Sequence, residues 1–364
     1  MWLAVPEPDM DLDVIDARDP RAAATWRDLE ARSPSSYFLS PAWVETWLAS
    51  LPEDAMPHLA VTRDRSAACW LGRREVRRHG VLGSRAIFLN TTGFDRYDEV
   101  CIEHNKILGN GAALVAALPK DWDELFLPAV DDAAVPDLGA LRGYRVHIDR
   151  ESVAPFVDLD AVRASEAGYL SLLGSNTRNQ VRRARRIIGD LEIELARDEA
   201  SALDIYGELL RLHARTWSER GQHGAFADPW FERFHRRLIT SRIATGEIQL
   251  MRVRAGAMTI GCLYNFVYRG RVLFYQSGLA HFDDAHVKPG YLCHAAAVEY
   301  NANAGHRVYD LLGGTTRYKQ SLATGAQRLL WLRVQRPRLR FAVEEQLRSW
   351  KRALVPGPLA LRPA

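Results

Sequence analysis

The spacing of apolar positions changes period repeatedly along the chain, and the changes divide it into two similar runs. In the first run, residues 20–32 and 41–50 read as short helices, the second with Ser40 as N-cap and Pro41 at the first helical position. Residues 58–62, 67–76 and 85–90 then read as strands. A helix near 107–118, a strand at 124–127, a helix near 133–141 and a strand at 144–148 complete the run. The order recurs after a linking helix (160–173) and a basic helix (177–188). There follow a strand at 191–196, helices at 198–218 and 228–243, and three strands at 247–254, 258–268 and 271–278. The tight turns Ala255-Gly256 and Arg269-Gly270 make those three a meander. A helix over 289–304, a strand at 307–312, a helical piece near 316–322 and a strand at 328–334 close the second run. An amphipathic helix near 338–353 and a proline-rich tail remain. Two copies of one α+β order without evident identity suggest a duplication: residues 1–150, residues 151–340, and a C-terminal helix and tail over 341–364.

Composition narrows the class without naming a reaction. A 364-residue chain that is 47% hydrophobic and 26% charged can bury two cores. A net charge of +3 is too small to imply nucleic acid by itself. Cys69, Cys101, Cys262 and Cys293 lie apart, without zinc-ligand spacing, and read as reduced thiols in or near the core; no metal is expected. The N-terminal residues lack a basic lead and an apolar run, and no stretch of 18 apolar residues occurs, so the expectation is a cytoplasmic protein without a membrane span.

Candidate chemistry concentrates in residues 286–319. Lys288, Pro289, Gly290 and Tyr291 open a helix whose first-turn amides are free to face an anion. The strand behind it delivers Asp310 to its C-terminal end, Gly313-Gly314 permits a sharp turn, and Lys319 follows within one helical turn. Upstream, Arg178, Arg182, Arg185 and Arg186 share one helix face. Stacked like charges repel, so an anionic ligand is a reason to keep them: a carrier pyrophosphate, a nucleotide-sugar acceptor or tRNA. A solvated face explains them equally well. The 220–226 connection, with two glycines and His223, can act as a lid that brings a proton acceptor, although plain helix connections also use glycine. In the first run the corresponding segment, 90–105, is acidic. It repels phosphate and suits an amine or the acceptor, which makes Glu103 a candidate for acceptor binding or general base, although a plain surface carboxylate explains it as readily.

The element order, with a phosphate-ready helix straight after the third meander strand, resembles the GNAT acyltransferase superfamily. The segments SNTRNQVRRARR, LLRLHARTWSERGQHGAFADPWFERFH, FYQSG, VKPGYL and GHRVYDLLGGTTRYK narrow the resemblance to the GNAT-like acyltransferases of the CelD/BioF2-like group, related to Fem-type aminoacyl transferases. It covers about 170–340, and LNTTGFDRYDEVCIEHN is similar to the group's N-terminal half more loosely. The resemblance implies a tandem duplicated GNAT-like (acyl-CoA N-acyltransferase) fold with mixed central sheets flanked by helices. It also implies an acyltransferase that moves an acyl group from acyl-CoA or an acyl carrier protein thioester to an amine or sugar acceptor, in surface polysaccharide or secondary metabolism. The glycine-rich acyl-CoA loop of small acetyltransferases is replaced by Lys288-Pro289-Gly290, so acyl-CoA rests on kinship alone. Lys319, in RYK, resembles the lysine of the Fem-type FK motif and would steady an oxyanion. Asp310 would orient that lysine or accept the amine proton, or form a structural ion pair with it. Tyr275, on one strand face with Ser277, would protonate the leaving thiolate or serve only the core. Two other readings stay open: a Fem-type transferase fed by aminoacyl-tRNA, and a non-catalytic assembly factor for polysaccharide synthesis.

Overall fold

The computed structural model describes residues 12–78, 82–100, 102–133, 143–314, 316–344 and 346. The first copy comprises β1 (Leu12–Asp16), α1 (Pro20–Arg32), α2 (Pro41–Leu48), β2 (His58–Thr62), β3 (Ala67–Arg78), β4 (Leu82–Leu89), the short α3 (Asp95–Asp98), β5 (Leu108–Gly109), α4 (Gly111–Ala117), β6 (Glu124–Asp131) and β7 (Arg145–Asp158). Two helices, α5 (Leu159–Ala164) and α6 (Ser175–Ile188), lead to the second copy. It runs β8 (Glu192–Leu195), α7 (Glu199–Glu219), α8 (Pro229–Arg242), β9 (Ile248–Ala255), β10 (Met258–Tyr268), β11 (Arg271–Leu279), α9 (Pro289–Asn303), β12 (Val308–Asp310), α10 (Arg317–Leu322) and β13 (Gly325–Gln335).

The strands form one continuous mixed sheet, in the order β1-β2-β3-β4-β6-β13-β7-β12-β11-β10-β9-β8, with β5 beside β3. Each copy has an antiparallel meander followed by one parallel pair, β4 with β6 and β11 with β12. The last strands are exchanged. β7 of the first copy pairs with β12 of the second, β13 of the second pairs with β6 of the first, and β7 and β13 pair along their length. The fold is thus a tandem duplicated GNAT-like fold in which the two expected sheets are fused into one.

Several elements depart from the sequence expectation for physical reasons. β1 escaped notice because its burial does not alternate, and only Leu12 is buried. The strand expected at 144–148 runs on to Asp158, through a polar stretch whose charges are matched across the ladder: Arg333 to Asp149 at 2.7 Å and Arg328 to Glu151 at 2.7 Å. The division drawn between residues 150 and 151 therefore falls inside a strand. The linking helix stops at Ala164 and gives way to a left-handed Gly168, φ 72°. The helix expected from 107 begins at Gly111, because Leu108 and Gly109 pair with β3. The helix near 133–141, most of the C-terminal helix, the tail and Cys101 lie outside the described residues. Residues 339–344 are helical, and Glu344 returns to Arg78 at 2.8 Å.

The helix starts follow the sequence. Asp19, Ser40, Asn110, Asp158, Asp198 and Asp228 cap α1, α2, α4, α5, α7 and α8 with their side chains. The largest core is shared by both copies: Tyr37 stacks on Phe266 at 4.4 Å and Trp43 meets Phe234 edge-on at 5.0 Å. A second core packs α9 against the opposite face of β9–β12, and a third lies beneath α4. Cys69, Cys262 and Cys293 are buried free thiols, pushed up by burial. No helix among the described residues is long and apolar enough to cross a membrane.

Where α7 crosses β11 there is no room for a side chain, since a Cβ at Gly278 would lie 2.3 Å from the Leu209 carbonyl oxygen. Gly278→Ala is expected to lower stability by about 1–3 kcal/mol as α7 is forced off the strand. Gly83→Ala, where a Cβ meets nothing within 4 Å, is the control and should be nearly neutral in urea unfolding.

Candidate active site

β12 is short because its alternation ends at a buried charge. Tyr309 points into the α9 core, 3.0 Å from His294 Nδ1, and Asp310 points the other way with 0% exposure. Three groups meet the Asp310 carboxylate. Arg271 Nη1 donates to Oδ2 at 2.5 Å, His104 Nε2 makes an ion-pair contact with Oδ2 at 2.9 Å, and the Leu312 amide donates to Oδ1 at 2.8 Å. Burial works against the carboxylate, but His104 and Arg271 outweigh it and hold Asp310 below its ordinary range. The other ring nitrogen of His104, Nδ1, lies 2.8 Å from Asp131 Oδ1. Burial opposes the imidazolium; the two carboxylates win and push the histidine up to about 10.

The Leu312 amide bond to Asp310 shapes the turn that follows. Leu312 itself is left-handed at φ 57°, and the next residue presents its main chain to both copies. The Gly313 amide donates to Glu103 Oε2 at 2.5 Å, and Lys319 Nζ donates to the Gly313 carbonyl at 3.1 Å. A Cβ there would sit 2.8 Å from Glu103 Oε1, so a side chain at this position would displace the carboxylate. The ammonium also lies 5.6 Å from the centre of the Phe274 ring. Burial raises Glu103, only partly offset by the Gly313 amide, and burial lowers Lys319 against the pull of Glu103 and Asp310. Both shifts favour the uncharged forms, the direction a proton-transfer pair requires.

Lys319 sits at the edge of a gap. β12 pairs with β11 over Val308–Asp310 only, whereas β11 continues to Leu279. At the parting, the β10–β11 ladder slips: Asn265 pairs with Phe274 and Tyr264 with Gln276, leaving Tyr275 as the extra residue of a bulge. The bulge also overturns the expectation that Tyr275 and Ser277 share a face. Phe274 and Leu279 face α9, while Tyr275 and Gly278 face α7 and α8, so the alternation changes phase and Ser277 falls on the α9 side. In the first copy the equivalent gap is closed. Asn105 bridges β4 and β6, its Nδ2 donating to the Leu89 and Pro128 carbonyls at 3.0 Å each, and Asn90 Nδ2 donates to Asn105 Oδ1 at 2.7 Å.

Of the residues anticipated from sequence, Lys319 and Glu103 converge on Gly313, and Asp310 holds the adjacent Leu312 amide. Tyr275 does not join them; its hydroxyl donates to the Val100 carbonyl at 2.9 Å and lies 3.2 Å from His235 Nε2, tying β11 to the segment that carries Glu103. His223 is exposed on the α7–α8 connection, in a separate cavity of ≈ 520 Å³ with His213, Ser218 and Glu232. Tyr291 is linked to α10 through Ser321, 2.9 Å away, and Lys288 is the N-cap of α9 but its side chain makes no capping bond to the first turn around Gly290. Arg185 pairs with Glu299 of α9 at 2.9 Å; Arg178 is half-buried, and Arg182 and Arg186 are exposed. Sequence reasoning missed His104, Asp131 and Arg271. The only signal was the adjacency of His104 to Glu103, since the partners come from β6, β11 and β12. Among the described residues no group of metal-ligating side chains occurs.

Residues 175–320 match the family model of the acetyltransferase (GNAT) domain. No curated protein matches the chain. Among solved structures it is similar to FemX, at 11% identity and TM-score 0.56, covering 92% of this chain and 99% of that one. It is also similar to the L-PGS of Bacillus licheniformis, at 11% identity and TM-score 0.54, covering 92% and 98%. The C-terminal domain of a lysylphosphatidylglycerol synthetase from Agrobacterium fabrum matches at 14% identity and TM-score 0.50, covering 93% and 98%. At these identities the likeness concerns the fold.

Since His104 stands at about 10 when folded against an ordinary 6.5, its stabilising contribution is complete below pH 6.5 and is lost as pH rises toward 10. Urea unfolding should show stability declining across that window by an amount on the order of a few kcal/mol. His104→Asn should be less stable at neutral pH and should remove this component of the decline.

Proposed function

We propose that the chain is an acyltransferase that moves an acyl group from a thioester to an amine, with Glu103 as general base and Lys319 as the cation at the reacting carbonyl. One observation carries the reading: a raised carboxyl from the first copy and a lowered ammonium from the second meet at Gly313, beside the gap between β11 and β12. The donor thioester, acyl-CoA or a carrier-protein thioester, lies in that gap. Its phosphates face the α9 start, where Lys288 leaves the first-turn amides free of a side-chain cap. Arg178, Arg182 and Arg186 are the further candidates for that anion, whereas the charge of Arg185 is spent on Glu299.

The acceptor enters from the opposite side, through a cleft of ≈ 400 Å³ along the seam, lined by Ser36, His104, Lys106, Asp131, Arg271 and Gln327. Glu103 takes a proton from the acceptor ammonium, and the free amine attacks the carbonyl carbon. The new C–N bond pushes electrons onto oxygen, where the Lys319 ammonium offsets the charge. Collapse breaks the C–S bond. Lys319 is also the nearer acid for the departing thiolate, because the Tyr275 hydroxyl is committed to the Val100 carbonyl; the second proton of the attacking nitrogen then passes to the neutral Lys319 amine and restores the ammonium. Tyr275 then acts by holding the Glu103 segment, and the main chain around its bulge is available to polarise the thioester oxygen.

A second reading, with aminoacyl-tRNA as donor, draws on the exposed Arg182, Arg183 and Arg186 of α6. Thiol release from acyl thioesters with candidate amines supports the first reading, whereas tight binding of charged tRNA with a steep salt slope supports the second.

Lys319→Met should lower kcat by roughly 100-fold or more while leaving donor affinity nearly unchanged. Glu103→Gln should lower kcat by about 100- to 10,000-fold and abolish the acidic limb of the pH–rate profile. Wild-type turnover in either variant, confirmed as folded, removes that residue from the mechanism.

A further inference from the structure

Glu103 is fixed at its carboxylate by Gly313 and at its carbonyl by the Ser36 hydroxyl, 3.2 Å away. The next residue, His104, has a left-handed backbone at φ 51°, uncommon for a residue with a side chain, and is only 6% exposed. That conformation sets the two ring nitrogens against carboxylates of different copies, Asp131 at 2.8 Å and Asp310 at 2.9 Å. A ring meeting acceptors on both sides is matched only when both nitrogens carry protons. Asp310 in turn holds the Leu312 amide at 2.8 Å, one residue before the Gly313 amide that grips Glu103. A closed circuit results: His104, Asp310, the 312–313 main chain, Glu103 and back to His104.

We propose that His104 is a positioning residue for the transfer reaction, a doubly protonated ring locked between Asp131 and Asp310 that holds the turn at Gly313 and keeps the adjacent Glu103 carboxylate ionised for its role as base. The inference rests on the reading of Glu103 given above. The charged and titratable groups around the ring are Asp131 on β6, Arg271 on β11, Asp310 on β12, Lys319 on α10, and Glu103 and Lys106 on its own segment. The imidazolium lowers Glu103, and Asp310 raises it. Removing the ring charge takes away the first effect and leaves the second uncompensated, so Glu103 rises and the acidic limb moves to higher pH.

The test compares His104→Asn, which tolerates the left-handed backbone, with His104→Lys, which retains a positive charge. The expected result for His104→Asn is an acidic limb displaced upward by about one pH unit, kcat lowered roughly 10-fold and donor KM unchanged. His104→Lys should keep the limb within a few tenths of a unit of wild type. Should His104→Asn fail to fold, Asp131→Asn, which weakens the hold on the ring proton, should displace the limb in the same direction. An unmoved limb in a folded variant overturns the proposal. Glu103→Gln separates the two readings: if it retains both turnover and the limb, Glu103 is not the base and both readings fall; if it loses them while the limb of His104→Asn stays in place, only the role of His104 falls.

Discussion

A carboxylate without solvent contact must be matched inside the protein, and much of the centre of this molecule follows from how Asp310 is matched. A lone buried charge costs several kcal/mol, so its partners have to be fixed before the surrounding chain can settle. Arg271 and the Leu312 amide come from the second copy, but His104 comes from the first. The charge is satisfied only when both copies are in place. It therefore acts as a seam bond, and the turn at Gly313 and the position of Lys319 inherit their geometry from it.

The exchange of β7 and β13 explains why that seam is tight. Two GNAT-like units placed side by side with their own last strands would meet along separate sheet edges. Here each unit completes the other's sheet, so β6, β13, β7 and β12 form continuous ladders through the middle of the molecule. Backbone pairing fixes the relative height of Asp131 and Asp310 more firmly than side-chain contacts could. The copies then diverge by a simple device. In the first, Asn105 fills the gap between the parallel strands with amide bonds, and in the second the same gap is left open beside Lys319. In the proposed reaction this difference assigns the donor to the open gap of the second copy and leaves the first copy to supply the base and the acceptor wall.

Much of this architecture could be read from the chain. Apolar period, the Ser40-Pro41 start and the glycine turns gave the elements of both runs, since these signals are local and each residue reports on its own neighbourhood. Local signals also ended expectations too soon: the charged middle of β7 looked like a boundary because its partners, Arg328 and Arg333, lie far along the chain.

The sequence by itself determined that the fold is duplicated, that Lys319 follows a glycine pair and a strand-end aspartate, and that the first copy presents an acidic segment with Glu103. Only the tertiary structure decided which of these residues meet. Tyr275 was a candidate beside Lys319, yet it lies on the strand face turned to α7 and α8, and one extra residue in the ladder moves Ser277 off that face; a bulge is a property of two strands in register, not of either alone. His104 carried no spacing signal because both its carboxylates come from other elements. Residue type and local order are written in one dimension; the pairing of a buried charge depends on which distant segments the sheet brings side by side.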